Sequence, residues 1–300
     1  MPADGLGPEL LTLAQLLLNG LALGAAYALV ALGFVLVLNA TGAVNFAQGD
    51  MVMLGGYAAV ALGHLLPGAG LLLLPLVMLA MAVFGLLFSA LAWRPFRHRP
   101  PIFGLLATVA LGLTLQEAMN ALEGAAPQAG PAFVGTGEIR LGPLGLPRAA
   151  LGIVIACLVL GLAQGWLLGR TQFGRRLRAS AQDPVTARAL GLPVDRLIAA
   201  SFALATALAG AVGLLLSGPY FVTPTAGNDL ILRAYIAATI GGWGSLKGAV
   251  AGALMIALFE SVVAGYASSV VATASLYGAV LLLLAVRPAG LFPAPLGRRA

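Results

Sequence analysis

The sequence predicts an all-α polytopic integral membrane protein, a bundle of about 8–9 transmembrane helices with glycine-interrupted segments. Three observations lead there. Sixty per cent of the 300 residues are hydrophobic and 9% are charged, with a mean hydropathy of +1.00, far from the balance of a water-soluble domain. The apolar residues gather into runs long enough to cross a hydrocarbon core of about 30 Å. The basic residues sit mainly at the ends of those runs or in one stretch, Arg170–Arg196, which holds six of the sixteen lysines and arginines. The net charge of +6 therefore reads as an orientation signal towards membrane lipid, with no nucleic-acid partner. Residues 1–300 form a single transmembrane domain, with a basic loop at 170–196 and an opposing loop at 123–148.

Leu10–Leu38 opens the chain with a span that can cross at a tilt. Within it Gly20 and Gly24 make a G-x-x-x-G face for the close approach of a neighbouring helix. Asn39–Asp50 interrupts the run, and apolar character resumes from Met51 to Leu66 with Gly55 and Gly56 together. Leu71–Trp93 ends in Arg94, Arg97, His98 and Arg99; Ile102–Leu122 carries Gln116 and Glu117 towards its far end. Glu123–Arg148 is rich in proline and glycine, balanced in charge, and reads as an external loop. Leu151–Leu168 follows, with overlapping G-x-x-x-G at Gly161, Gly165 and Gly169. After the basic stretch Leu197–Leu216 crosses outward, and Ser217–Asp229, with Pro219 and Pro224, is a turn-rich external segment. Leu230–Gly242, Ala249–Tyr266 and Ser269–Val286 complete the set.

Arginines and lysines near short loops stay on the cytoplasmic side. Arg94–Arg99, Arg170–Arg196, Lys247 and Arg287–Arg299 are therefore expected in the cytoplasm, and the N-terminus with Asp4 and Glu9 outside. Nine crossings satisfy every assignment; eight follow if one glycine-broken piece is re-entrant. The N-terminus lacks the basic n-region of a secretory signal. Cys157 is the single cysteine and lies in an apolar span, so no intramolecular disulfide is possible.

Inside the basic stretch Asp183 can cap a helix whose first residue is Pro184. Gly191 closes it and Pro193 forbids resumption. Such a helix of about two turns is too short to stand alone in water. Val185, Ala189 and Leu190 give it an apolar face. One reading is a lever that another protein pushes; the other is an ordinary positive-inside loop.

Asn39–Gly56 and Leu230–Gly252 each pair a short hydrophobic piece with a glycine cluster. Unwound backbone survives in a membrane only against protein or water, so such segments point to a transport path. The competing reading is that the glycines permit tight packing. Asn45, Gln48, Gly49, Gly241 and Gly242 are the candidate pathway residues. Asn45 and Gln48 are neutral, share a face if helical, and suit a zwitterionic or neutral solute; bonding one helix to another is their alternative role. Gly42 and Gly49 would let the backbone unwind around them. Asp50 is expected either at the mouth of the path or as a cap on the helix from Met51. Glu260, halfway along Ala249–Tyr266, is an intramembrane ionisable residue. It is either paired, protonated or near a water-filled gap, or takes part in transport.

No catalytic, cofactor-binding or metal-ligating set emerges. His64 and His98 are far apart in sequence, and G-S-L-K-G at Gly244–Gly248 lacks the second glycine that a phosphate loop places before its lysine. Composition alone leaves open an ion-coupled secondary transporter or a channel.

Five blocks carry a family resemblance. N-G-L-A-L-G-A-A-Y-A-L-V-A-L-G (Asn19–Gly33), V-N-F-A-Q-G-D-M-V-M-L-G-G-Y (Val44–Tyr57) and A-A-T-I-G-G-W-G-S-L-K-G-A-V-A-G (Ala237–Gly252) resemble the branched-chain amino-acid ABC transporter permease family, in its smaller, H-type subunit. R-A-S-A-Q-D-P-V-T-A-R-A-L-G (Arg178–Gly191) is similar to its cytoplasmic coupling loop, and V-R-P-A-G-L-F (Val286–Phe292) to its C-terminal signature. Gln48 departs from the histidine of many members, and Trp243 from a small aliphatic residue. The resemblance implies a non-enzymatic permease subunit of an ATP-driven importer in the bacterial inner membrane. Its implied partners are a second, usually unlike, permease, two cytoplasmic ATPase subunits that use the ATP, and an extracytoplasmic solute-binding protein. Asp183, Pro184, Ala187, Ala189 and Gly191 would then couple the chain to an ATPase. The implied solutes are leucine, isoleucine and valine, with urea and short amides as the alternative.

Overall fold

The structure is a computed structural model that describes residues 7–97, 99–135, 137–141 and 144–292. Asp4, His98, Arg298 and Arg299 lie outside the described residues. The chain forms helices α1 (Pro8–Thr41), α2 (Gln48–Leu65), α3 (Leu73–Phe88) and α4 (Pro101–Glu123), then strands β1 (Glu138–Leu141) and β2 (Leu144–Pro147). Helices α5 (Arg148–Arg170), α6 (Gln172–Gln182), α7 (Pro184–Ala189), α8 (Val194–Tyr220), α9 (Ala226–Gly241), α10 (Leu246–Tyr266) and α11 (Ser269–Val286) follow. Among the described residues seven helices are long and apolar enough to cross a membrane. Helices α2 and α9, of 18 and 16 residues, are the short pieces beside the two glycine interruptions. Together they supply the hydrophobic segments that the sequence counts as eight or nine.

Helices α1 and α8 are the centre. Of the most apolar window in each, 78% is buried, against 11% in α11. Helix α1 packs on α10, α8, α5 and α9, and α8 on α3 and α2. Lipid tails are as apolar as leucine, so close van der Waals packing, rather than escape from water, must hold spans together. The contacts show how. A Cβ placed on Gly20 or Gly24 would press on Ser261, Ala257 or Leu254 of α10, so the predicted close-approach face of α1 is used. Gly55 and Gly56 of α2 lie against Gly210 and Gly213 of α8, and Gly241 of α9 against Gly248 of α10.

The second predicted face behaves differently. Gly165 and Gly169 of α5 have nothing within 4 Å of where a Cβ would stand, and Gly161 makes only an ordinary contact with Leu32 of α1, so within this chain that motif brings no helix into close approach. Three boundaries also move. Helix α8 runs on through Pro219 to Tyr220, because a proline near the end of a helix breaks little, and the turn-rich segment begins only at Phe221. The 123–148 loop contains an antiparallel hairpin, with Glu138 paired to Pro147 and Leu141 to Leu144. The basic stretch contains a second helix, α6, ahead of the expected one; Leu177 is its buried apolar anchor, and the Arg178 side chain donates back to the Leu168 carbonyl.

The bundle therefore has two distinct ends. At one, the Gln15 amide donates to the Gly145 carbonyl of β2 at 2.7 Å, placing the hairpin beside the start of α1 and the ends of α8 and α10. At the other, α6 and α7 lie beside the C-terminal end of α1 and the turn after Trp93.

Candidate functional site

At the hairpin end a cavity of about 680 Å³ opens between α1, α2, α8, α9 and α10. Its wall is mainly apolar, with Leu23, Val52, Leu216 and Ala257 among the lining side chains. Set into that wall is an ion pair. Arg233 Nε lies 2.9 Å from Glu260 Oε2 and Arg233 Nη2 lies 2.5 Å from Glu260 Oε1, so the guanidinium edge meets the carboxylate in two parallel bonds. The two side chains are 19% and 16% exposed. The Tyr27 ring faces the guanidinium, its centroid 5.6 Å from Cζ. Arg233 Nη1 donates to the Asp229 carbonyl at 3.2 Å and lies 3.9 Å from its carboxylate. Phe221, where α8 gives way to the turn before α9, holds φ 58°, a left-handed backbone that a non-glycine residue takes only when its surroundings enforce it.

Glu260 is thus paired and borders a gap, two of the states expected for it. Its partner Arg233 is a cavity residue that the sequence pattern hides. It lies 27 positions away, in the apolar piece Leu230–Gly242, and no helical spacing links the two helices. A lone cation in a short apolar run was the available signal.

The predicted pathway residues sit elsewhere. Asn45 and Gln48 are 2% and 0% exposed, in the turn and first residue of α2. The Gln48 amide donates to the Ala205 carbonyl of α8 at 3.1 Å and the Asn45 carbonyl accepts from the Ala47 N–H at 3.2 Å. Gln48 thus bonds α2 to α8, the alternative role offered for the pair, whereas Asn45, through its side-chain oxygen, bonds within its own turn. Gly49 lies in regular helix, where a Cβ would strike the Gly227 carbonyl, so it serves close packing with α9 and does not unwind the chain. Gly241 does the same against α10, while Gly242 makes the turn after α9 with φ 101°. Of Gly42 and Gly49, the two expected to let the backbone unwind, Gly42 does so, ending α1 at φ 71°. Asp50 is at no mouth: it is buried, and the Gln116 amide bonds its carboxylate at 2.7 Å and Asn228 at 2.9 Å, joining α2, α4 and α9.

At the far end α7 is built as its sequence predicts. Asp183 Oδ1 accepts from the N–H groups of Val185 and Thr186, both at 3.0 Å, Pro184 starts the helix and Gly191 follows it at φ 79°. The Thr186 hydroxyl, with the backbone N–H groups of Thr186 and Val185, holds the Asp183 carboxyl below the usual carboxylate range. Val185 and Leu190 are 74% and 76% exposed, and Ala189 is exposed beside them. Ala187 turns inward and is buried, so it seats α7 on its own bundle and is not part of the open face. Asp195 at the start of α8 accepts from Arg97 at 2.6 Å and Arg188 at 3.2 Å, fastening α7 to the turn between α3 and α4.

A many-span helical bundle with an ion pair in a mainly apolar cavity, and a short capped helix presented at its basic end, fits a transport permease. The chain belongs to the family described as the branched-chain amino acid transport system / permease component, which matches residues 16–286. It is 30% identical to the high-affinity branched-chain amino acid transport system permease protein BraD of Pseudomonas aeruginosa, over 96% of this chain and 98% of that one. It is 29% identical to the corresponding LivH protein of Escherichia coli K12, over 94% and 96%. A probable branched-chain amino acid transport permease protein LivH of Methanocaldococcus jannaschii is 32% identical over 90% and 87%. Members of this family are transport permease subunits and are not themselves enzymes. The chain is a multi-pass membrane protein.

Proposed function

We propose that this chain is one of the membrane-spanning subunits of an ATP-driven importer, passing branched-chain amino acids from an extracytoplasmic binding protein into the cytoplasm. The observation that carries the reading is the pairing of two features at opposite ends of one bundle. A mainly apolar cavity with a neutralised ion pair opens at the hairpin end, and a self-capped helix with an exposed apolar face stands at the basic end. Val185 and Leu190, with Ala189 beside them, give α7 an exposed apolar face that a partner would cover. An ATPase subunit is the partner that an importer without its own phosphate loop requires. Val185, Ala189 and Leu190 form the docking face, with Asp183, Pro184 and Gly191 shaping the helix. A second permease subunit, alike or unlike, completes the membrane part, and the hairpin end faces outward to the binding protein.

The relatives named for branched-chain amino acid transport support that solute class, as does an apolar wall around opposed charges. Urea and short amides are the competing solutes. An ion-coupled carrier is less well supported, because Asp50 is bonded by the Gln116 amide and the charge of Glu260 is neutralised by Arg233. The test is uptake of labelled leucine and labelled urea by the chain reconstituted with its partner permease, ATPases and binding protein. ATP-dependent leucine uptake is expected; urea uptake without leucine uptake would replace the solute, and uptake driven by an ion gradient without ATP would replace the class.

A further inference from the structure

We propose that the Arg233–Glu260 pair is where the cavity contacts its solute, receiving an α-amino acid as a zwitterion. The solute carboxylate takes the Arg233 guanidinium and its ammonium takes Glu260. This rests on the importer reading above and adds the place and manner of contact.

The pair is an uneconomical way to fasten α9 to α10 if fastening is its only role. Buried ion pairs can often be replaced by apolar side chains without loss of stability, so they are weak evidence for a structural purpose. These helices are already joined by the close contact of Gly241 with Gly248. The pair is also not packed away: both residues line the 680 Å³ cavity. Its geometry matches the solute it would receive. Arg233 presents Nε and Nη2 together to one carboxylate, the fork that any second carboxylate can occupy in its place. Glu260, released, is left facing the same space and requires a cation. A zwitterion supplies both replacements at once, so no charge is stranded on entry. When the solute leaves, the pair closes again and assists release.

Two neighbours bias the exchange. Asp229 stands 3.9 Å from the guanidinium and its side chain is 80% exposed, so two carboxylates face one cation and the mouth carries an excess negative charge. That excess draws the ammonium end first. Tyr27 holds the face of the guanidinium, leaving its edge free to change partners. Elsewhere in the wall Leu23, Val52, Leu216 and Ala257 offer an aliphatic side chain an apolar seat.

The test uses the complete transporter in proteoliposomes and, as probe, a leucine whose side chain carries a diazirine. Illuminated during ATP-driven turnover, the wild-type chain should be labelled on the cavity wall, at Leu23, Val52, Leu216 or Ala257. In assembled complexes carrying Glu260→Gln or Arg233→Lys, that labelling should fall at least about tenfold, the effect of one hydrogen bond to a charged group. If either variant fails to assemble, the exchanged pair Arg233→Glu with Glu260→Arg restores the link between α9 and α10. It should assemble, yet import L-leucine about tenfold more slowly, because the two charges now meet the wrong ends of a solute seated by its side chain. Wild-type labelling confined to other segments overturns the proposal. So does undiminished labelling in either single variant, or wild-type uptake by the exchanged one. Failure of the importer reading looks different: the wild-type transporter would then take up no leucine at all.

Discussion

Single residues in this bundle decide whether helices can touch. A Cβ on Gly49 would meet the Gly227 carbonyl, and one on Gly241 the Gly248 carbonyl, both backbone atoms that cannot swing aside. Gly49→Ala and Gly241→Ala should each destabilise the protein by about 1–3 kcal/mol, the usual cost of overpacking a filled interior. Thermal aggregation of the solubilised protein measures it, with Gly165→Ala as the control, since nothing stands within 4 Å of that position. Equal melting of Gly241→Ala and the control would show that α9 and α10 do not need their close approach. Gln48 tests a different force. Its amide is fully buried and bonded to the Ala205 carbonyl, so Gln48→Leu removes an interhelical bond worth about 1 kcal/mol and strips Asn45 of a neighbour. If the residue bonds α2 to α8, the variant should melt earlier while each assembled complex still imports leucine. A stable complex with impaired uptake would instead return Gln48 to the solute path.

At the scale of elements, α7 is the piece whose sequence and structure agree most closely. Aspartate, proline and a terminal glycine are local signals, each acting on its own backbone, so the pattern is readable without knowledge of the rest of the fold. What was hidden are contacts between distant residues. Helix α6 is not legible in the sequence because its arginines mask a single buried leucine, Leu177, and the hairpin is not because Glu138–Pro147 alternates too weakly to mark strands. The glycine interruptions were visible, but whether a glycine unwinds a helix or admits a neighbour depends on what lies across from it. Gly42 did the first; Gly49 and Gly241 do the second. Ala187 shows the same limit within α7, since only its seat against the bundle separates it from Ala189. The open face makes a prediction. Ala189→Glu puts a charge where an ATPase should press, and Gly191→Val forces a branched side chain into a left-handed turn. Both should leave the permease in the membrane with ATP hydrolysis no longer tied to uptake; normal uptake by well-expressed Ala189→Glu would remove α7 from the coupling. Acid affects the same element through Asp183. Its carboxyl is held below the usual range, so the cap is intact at neutral pH and is lost only as pH falls through that depressed value. Coupling should therefore be flat across neutral and mildly acidic pH, and Asp183→Asn, which keeps an accepting oxygen, should retain most of it.

At the scale of the whole molecule the two ends differ in charge. Arg97, Arg170, Arg175, Arg176, Arg178 and Arg188 gather at the α6–α7 end, whereas Glu123, Glu138, Asp229 and Glu260 belong to the hairpin end. Arg140 of β1, Arg148 and Arg233 are cations at that second end, and Arg233 is neutralised by Glu260. Positive charge near short loops resists export during insertion while acidic residues contribute little, so the α6–α7 end should face the cytoplasm and the hairpin end the outside. Cysteines introduced in a Cys157→Ala background can read this directly. Cys157 is buried among apolar side chains, so its loss removes little but the background signal. Ala126→Cys, exposed in the loop after α4, should react with a membrane-impermeant maleimide on intact cells, and Gln182→Cys, exposed at the end of α6, should not react until the membrane is opened. Leu65→Cys adds the number of crossings, because it stands 75% exposed at the end of α2. If the short α2 carries the chain fully across, Leu65→Cys reacts from outside like Ala126→Cys. Protection of Leu65→Cys beside a reactive Ala126→Cys would make α2 re-entrant, and reaction of Gln182→Cys on intact cells would invert the entire arrangement.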